Sequence, residues 1–483
     1  MTLLLIKYPK KSLLSRKNIK NTSHEIVCAF GICALFDFCV LGFVFFLLIL
    51  NVTEILYTVH MDTSTKKILK FPKNFYWGAS TSAHQVEGNN HNDWSEWERG
   101  NATRLARESA SHFGHLPSWE FSRREAEEPK NYISGSACDH YIHFEEDFSL
   151  ASSLGHNAHR FGIEWSRIES EEGVFDTEAL QHYLSAILSL RKHGMEPFVT
   201  LWHWTIPVWL AEKGGIAHPD FPEYFNRYVE TVVKALGREV KFWVTLNEPE
   251  LLASHAYIAG KWPPQKKNLL TFYRALKNLI NAHKLAYHTI KKYDTDSAIG
   301  ITKHEVVFKV KRKTFINETL KKIGHYFANE WFLNHIKDSQ DFIGLNVYRY
   351  NVIDNGFGKG RKGRVTDFGW TFDPECIFQA LMDLKHYGKP IFITENGVAD
   401  AKDNMREEWI EKTITCMHQA MTHGADVRGY LHWSLLDNFE WDKGYWLRFG
   451  LISVDRTTQK RTIRPSAYFY ADICRSNQIE VDI

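Results

Sequence analysis

The chain has 483 residues, of which 44% are apolar and 14% aromatic, with a formal net charge of +2. That is enough apolar material for a large core, and the near-neutral balance excludes a general attraction for nucleic acid or anionic surfaces. The seven cysteines (Cys28, Cys33, Cys39, Cys138, Cys376, Cys416 and Cys474) are odd in number, scattered and without a CxxC pair; this argues against a disulfide framework or a zinc motif and predicts mostly reduced thiols.

Residues 26–50 form an almost wholly apolar run with Asp37 as its one charge, preceded by Lys7, Lys10, Lys11, Arg16, Lys17 and Lys20. Such a run can cross about 30 Å of hydrocarbon and exceeds the roughly 7–15 apolar residues of a cleavable signal peptide. The basic flank predicts a cytoplasmic N-terminus and an exported remainder. A second reading starts at Met61, where Asp62–Thr63–Ser64–Thr65–Lys66–Lys67 leads directly into a globular pattern. On that reading residues 1–60 are translated leader and the protein is cytoplasmic. Both readings divide the chain into an extension, 1–60, and a globular unit, 61–483.

From Phe75 onward, short β-prone runs alternate with helical patterns. Strands are predicted at 75–80, 158–164, 196–202, 241–246, 298–302, 341–346, 390–394 and 427–433. Runs such as Phe198–Val199–Thr200–Leu201 and Ile391–Phe392–Ile393–Thr394 lack a regular polar alternation, as in strands buried on both faces of a parallel sheet. Phe225, Tyr228, Val229, Val232, Val233 and Leu236 recur at helical spacing, with Gly237 as a candidate C-terminal cap. Pro374 and Pro465 are placed in the first turns of helices. Eight strand–helix alternations predict an α/β chain forming a single (β/α)8 (TIM) barrel; a doubly wound open sheet is the alternative. Residues 99–135 read as a long polar loop beside the functional face. Gly356–Phe357–Gly358–Lys359–Gly360 lacks the GK[ST] ending of a phosphate loop and reads as a flexible basic loop, and 309–313 as a solvated one. His140 and His143 share a predicted helix without an evident third ligand, so solvent-facing histidines are expected.

Functional groups of such a barrel sit at the C-terminal ends of its strands. Gln85 and Glu87 follow strand one, and strand two carries Arg160. Strand three ends at His203–Trp204, strand four at Asn247–Glu248–Pro249, and strand six at Asn346 and Tyr348. Strand seven ends at Glu395–Asn396–Gly397, and strand eight at Trp433, with Glu440–Trp441 in the next loop. Caps and turns do not produce such a density of polar and aromatic groups at seven of eight strand ends. Glu248 and Glu395 both follow apolar strands directly, and strands four and seven face each other across a barrel mouth. Glycoside hydrolysis needs such a pair: an ionised carboxylate to attack the anomeric carbon and a protonated one to release the leaving oxygen. A separation of about 5–5.5 Å means retention and about 6.5–9.5 Å inversion, and both outcomes stay open at this point. Mutual repulsion raises one of the two pKa values, and Arg160 is a candidate to hold the nucleophile ionised.

These residues resemble glycoside hydrolase family 1, the β-glucosidase family, over residues 70–475. The most specific pieces are Thr245–Leu246–Asn247–Glu248–Pro249 and Ile393–Thr394–Glu395–Asn396–Gly397. Phe75–Tyr76–Trp77–Gly78–Ala79–Ser80, with Gln85 and Glu87, is similar to the first-strand signature, and the segment from Trp433 to Trp441 to the last. The resemblance implies Glu248 as acid/base and Glu395 as nucleophile of a retaining β-glycosidase. It implies a glycone subsite of Gln85, His203, Asn247, Trp433, Glu440 and Trp441, with Tyr348 beside Glu395 and Asn346 and Arg160 in support. It also implies no metal or organic cofactor and, as partner, a small oligosaccharide or an aryl or alkyl β-glycoside.

Several positions depart from the family pattern. Asn346–Val347–Tyr348–Arg349 replaces Asn-Tyr-Tyr-Thr, Gly162 and Glu164 replace serines, and Trp202 and Thr205 flank His203–Trp204 where His or Tyr and Asp are usual. These leave the aglycone open, with Trp262 and Trp370 as candidate stacking platforms. A transglycosylase using the same intermediate is the alternative activity; a non-catalytic sugar-binding relative would be expected to lose Glu248 or Glu395. Glu440 argues against a 6-phosphorylated glycone, which it would repel.

Overall fold

The computed structural model describes residues 66–359 and 363–482. The candidate membrane run 26–50, the alternative start at Met61 and Cys28, Cys33 and Cys39 lie outside them. Among the described residues no helix is long and apolar enough to cross a membrane, and Cys138, Cys376, Cys416 and Cys474 are free thiols.

Eight parallel strands close into a barrel: β1 (Tyr76–Ser80), β2 (Ala158–Gly162), β3 (Glu196–Thr200), β4 (Phe242–Asn247), β5 (Ala298–His304), β6 (Phe342–Asn346), β7 (Ile391–Asn396) and β8 (Val427–Trp433). All eight coincide with predicted strands, and closure through β8 and β1 rules out the open sheet. Each strand is followed by a main helix: α1 (His140–Ser153), α2 (Thr177–Lys192), α3 (Phe221–Leu236), α4 (Leu269–Tyr293), α5 (Phe315–His325), α6 (Cys376–Leu384), α7 (Arg406–Thr422) and α8 (Pro465–Ser476). A π-helical turn, Tyr326–Glu330, carries α5 into the helix Trp331–Ile336.

The strand periodicity sorts side chains into two cores. Facing outward, Val199, Trp243, Ile299, Ile301, Ile343, Leu345, Ile391 and Ile393 are buried under the helices. Facing inward, Phe198, Phe242, Phe342 and Phe392 fill the lower barrel, with Phe198 and Phe242 stacked at 4.3 Å between centroids. Further along three of these strands the same inward face turns polar, two residues on at Thr200 and Thr394 and four residues on at Asn346. The apolar layer thus forms the floor on which the polar groups stand.

Several loop expectations are corrected. Residues 99–135 are largely helical, in Asp93–Phe113 and Trp119–Ala126. Asn92 and Ser95 make a reciprocal capping box, and Trp94, Trp97, Ala102, Ala106 and Ser109 supply a buried stripe that the surrounding charges mask in the sequence. Gly237 has φ −57° and leads into a 3-10 turn instead of capping α3 in the left-handed region. Pro465 does open α8, whereas Pro374 lies in the turn before α6. Lys309 and Val310 of the first basic segment and Phe357–Lys359 of the second belong to a small sheet, in which Phe357–Lys359 pairs with Tyr350–Ile353 and that strand with Val307–Val310. His140 is buried, its Nδ1 2.7 Å from Asp147 Oδ2, and Asp147 is also bound by Arg461. His143 alone of that pair reaches solvent, beside Asp139 and Glu146.

Candidate active site

A cleft of ≈ 560 Å³ opens at the C-terminal mouth of the barrel, a size suited to a small ligand. Nine of the sequence-predicted residues line it: Gln85, His203, Asn247, Glu248, Tyr348, Glu395, Trp433, Glu440 and Trp441. Arg160 and Asn346 lie beneath, fully buried. Glu87 does not join them; it pairs with Arg167 at 2.9 Å and accepts from Tyr183 Oη at 2.8 Å. Trp262 and Trp370 also line the cleft, Trp370 stacked on Phe368 at 3.9 Å.

The two glutamates belong to one hydrogen-bond network. Arg160 donates from Nη1 to Glu395 Oε1, from Nη2 to Asn247 Oδ1 (2.8 Å) and from Nε to Thr200 Oγ1 (2.9 Å). Tyr348 Oη donates to the other oxygen of Glu395 at 2.8 Å. Asn346 Nδ2 donates to Glu248 Oε1 at 2.7 Å and lies 3.4 Å from Asn247 Oδ1, while Thr394 Oγ1 holds the Asn346 carbonyl at 2.9 Å. Glu395 therefore has a cationic donor on one oxygen and a phenol on the other, whereas Glu248 has an amide. His304 Nδ1 also stands 3.5 Å from Glu248 Oε1, but the permanent guanidinium cation on Glu395 is the stronger stabiliser of a carboxylate charge and favours the shared proton on Glu248.

Burial pushes the Glu395 carboxyl up to about 7, against the pull of Arg160 and with the neighbouring Glu248 charge adding to the rise. Burial also works upward on Glu248, while His304, Asn346 and Arg160 work downward, so the pair has one titration raised and one lowered. The lower and upper titrations belong to the pair, which binds one proton between them. Burial raises Glu440 to about 8 against the attraction of Lys443 and drives the His203 imidazole well down, so His203 is a neutral hydrogen-bonding ring.

Local backbone geometry aims these groups. Glu248 (φ +43°), Trp204 (φ +79°) and Trp441 (φ +50°) all occupy the left-handed region, which costs on the order of 1–3 kcal/mol each and concentrates at functional sites. Pro249 starts the helix Pro249–Tyr257 directly after Glu248. Beyond Glu395, Gly397 lets the turn press against β8, because a Cβ there would stand 1.8 Å from the Trp433 carbonyl oxygen. Gln85, from the short helix Ala83–Val86, donates to the Phe439 carbonyl at 2.8 Å and reaches Glu440 Oε2 at 3.5 Å. Trp204, Trp433 and Trp441 surround His203, with Trp441 4.6 Å from Trp204.

Sequence reading missed His304, whose Nδ1 lies 3.5 Å from Glu248 Oε1 in the cleft wall. β5 was predicted to stop at 302, because a Lys–His pair does not look like a buried strand end. Lys303 is buried nevertheless, with Glu250 Oε2 3.3 Å from its Nζ. Extending β5 by two residues would have placed His304 at the eighth strand end. Two departures from the family pattern meet in space: Thr205 Oγ1 donates to Glu164 Oε2 at 2.9 Å, so a carboxylate–hydroxyl pair spans the β2 and β3 loops.

An eight-stranded barrel with two glutamates on facing strand ends, in a cleft walled by tryptophans, defines the glycoside-hydrolase class of enzymes. The profile described as "Glycosyl hydrolase family 1" matches residues 67–338 and 316–479. The chain is 31% identical to β-glucosidase A of Thermotoga maritima over 469 residues, covering 86% of this chain and 99% of that protein. It is also 31% identical to β-glucosidase A of Acetivibrio thermocellus, covering 85% and 99%. Among solved structures it is similar to the β-glycosidase from Pyrococcus horikoshii, with TM-score 0.77, 32% identity and 86% and 96% coverage. The chain belongs to glycosyl hydrolase family 1 and is a glycoside hydrolase.

Proposed function

We propose that the chain hydrolyses terminal, non-phosphorylated β-D-glucosides and related β-glycosides by double displacement, with Glu395 as nucleophile and Glu248 as acid/base. The observation that carries this is the unequal set of donors on the two carboxyls. Arg160 and Tyr348 favour an ionised Glu395, and Asn346 leaves Glu248 able to hold a proton.

Glu395 attacks the anomeric carbon as Glu248 protonates the glycosidic oxygen, and the aglycone leaves. Esterification removes the Glu395 charge, so the Glu248 carboxyl becomes easier to ionise and serves as base for water. Asn247, Gln85, His203, Glu440, Trp433 and Trp441 bind the glycone. On this reading Asn247 takes the 2-hydroxyl, where a hydrogen bond strengthens in the transition state. The names of the similar β-glucosidases support glucosides as substrates, and Glu440, which burial keeps protonated near pH 7, offers a hydroxyl a hydrogen bond but a phosphate no positive charge. Trp262 and Trp370 at the cleft wall serve the aglycone.

The test is turnover of p-nitrophenyl β-glucoside by the parent chain, Glu395→Gln and Glu248→Gln. Both variants are expected to lose more than about 10³-fold in kcat. Glu248→Gly with azide is expected to yield the β-azide, and Glu395→Gly the α-azide. Undiminished turnover in either Gln variant, or the reverse pattern of azide products, overturns the assignment.

A further inference from the structure

Outside the cleft, a second group of titratable side chains gathers where β5, α5 and α6 meet. Glu305 follows β5, His325 ends α5 and Asp383 lies in α6. One potential ligand atom from each lies within 4.8 Å of the others. None of the three lines the catalytic cleft.

Glu305 makes this more than a cluster of acids. It is 1% exposed, and neither of its carboxylate oxygens has a hydrogen-bond partner. Buried carboxylates are ordinarily paired, protonated or bound to a cation. The nearby ammonium is already committed: Lys303 Nζ donates to the His304 carbonyl (2.7 Å) and the Ala328 carbonyl (2.6 Å) and faces Glu250 at 3.3 Å. Three contacts use its three protons. Glu330 adds a further negative group, its Oε1 3.2 Å from His325 Nε2.

We propose that Glu305, His325 and Asp383 bind one divalent transition-metal cation, zinc by ligand type, which ties β5 to α5 and α6. One imidazole and two carboxylates suit zinc or manganese. Glu330 on His325 Nε2 supplies the carboxylate that commonly orients a ligating histidine. His325 Nδ1 lies 3.9 Å from Asp383 Oδ2, so the two point to a common position. Asn329 Nδ2 now donates to Nδ1 at 3.0 Å; a cation replaces that bond, and Asn329 keeps its two bonds to the Val306 backbone. Asp383 Oδ1 is held by Gln379 at 2.6 Å, leaving Oδ2 for the metal. The π-helical turn Tyr326–Glu330, a form often found at functional sites, begins directly after His325 and ends at Glu330.

The experiment titrates zinc chloride calorimetrically into the whole chain after chelator treatment and desalting, with manganese and calcium chloride as parallel probes. Expected is one saturable zinc site, weakened at least tenfold in Glu305→Gln and Asp383→Asn, with zinc raising the melting temperature of the parent and not of these variants. Cobalt loading of the parent is expected to give visible d–d bands that the variants lack. Glu305→Gln removes the buried charge and should fold at least as well as the metal-free parent, so its loss of binding reads on the site and not on folding. No saturable binding, calcium binding alone, or zinc binding unchanged in Glu305→Gln overturns the proposal. The proposal does not rest on the hydrolytic reading, because its readouts are binding, melting and absorption.

Discussion

At the scale of single residues, the Glu248–Glu395 pair carries a definite pH signature. The upper titration of the pair, at about 7, and the lower one, below the usual 4.5, bound the range in which the two carboxyls together hold one proton. A bell-shaped profile of kcat/KM is therefore expected, with a basic limb near 7 and an acid limb below 4.5. His304 supplies the largest downward pull on Glu248. Because Glu248 is the acid, His304→Asn should move the basic limb, on which Glu248 loses its proton, to higher pH; an unmoved limb would show that His304 does not tune the acid. Glu440 gives a stability test. Burial raises its pKa to about 8, so the folded state holds that proton more tightly than the unfolded chain does. Its contribution is present below the unfolded value near 4.5 and is lost as pH rises through about 8. Glu440 is only half-buried by surface area, which tempers the effect. Glu440→Gln should gain about 1–2 kcal/mol over the parent at pH 9 and almost nothing at pH 4.5, measured by urea unfolding, while activity falls.

At the scale of elements, the helix Asp93–Phe113 connects folding to the cleft, which it borders through Arg104, Glu108 and His112. Its start depends on Asn92, whose Oδ1 accepts from Ser95 N at 2.9 Å and whose Nδ2 also reaches Glu164 at 3.2 Å. Asn92→Ala should cost about 1–3 kcal/mol through the lost cap and the buried groups left unpaired. Calorimetry would show the lower melting temperature, and kinetics should show a larger change in KM than in kcat, because the helix touches the outer cleft. Equal stability of variant and parent would mean that the buried tryptophans Trp94 and Trp97 alone position the helix.

At the scale of the whole molecule, the phenylalanine layer supports the site from below. Phe392 packs against Phe198, Phe242 and Phe342 at 5.1–5.3 Å between centroids, three residues before Glu395 on the same strand. Phe392→Ala should cost about 3–5 kcal/mol in urea unfolding and lower kcat as well, because the cavity loosens β7 beneath the carboxylate. Stability lost with kcat intact would mean that Arg160 and Tyr348 suffice to hold Glu395.

The strands, the barrel and the strand-end residues could be read from the sequence because short continuous apolar runs and short motifs are local. The same locality explains Glu248 and Glu395, each announced by its own neighbours. The helix at 93–113 was hidden because its buried face is built from tryptophans and small residues among many charges. His304 was hidden because a buried Lys303 becomes acceptable only once Glu250 and two carbonyls surround it. The arrangement of donors on each glutamate, the meeting of Glu164 with Thr205 and the convergence of Glu305, His325 and Asp383 depend on contacts between residues far apart in the chain. Local pattern carries no information about such contacts, and only barrel closure brings them together.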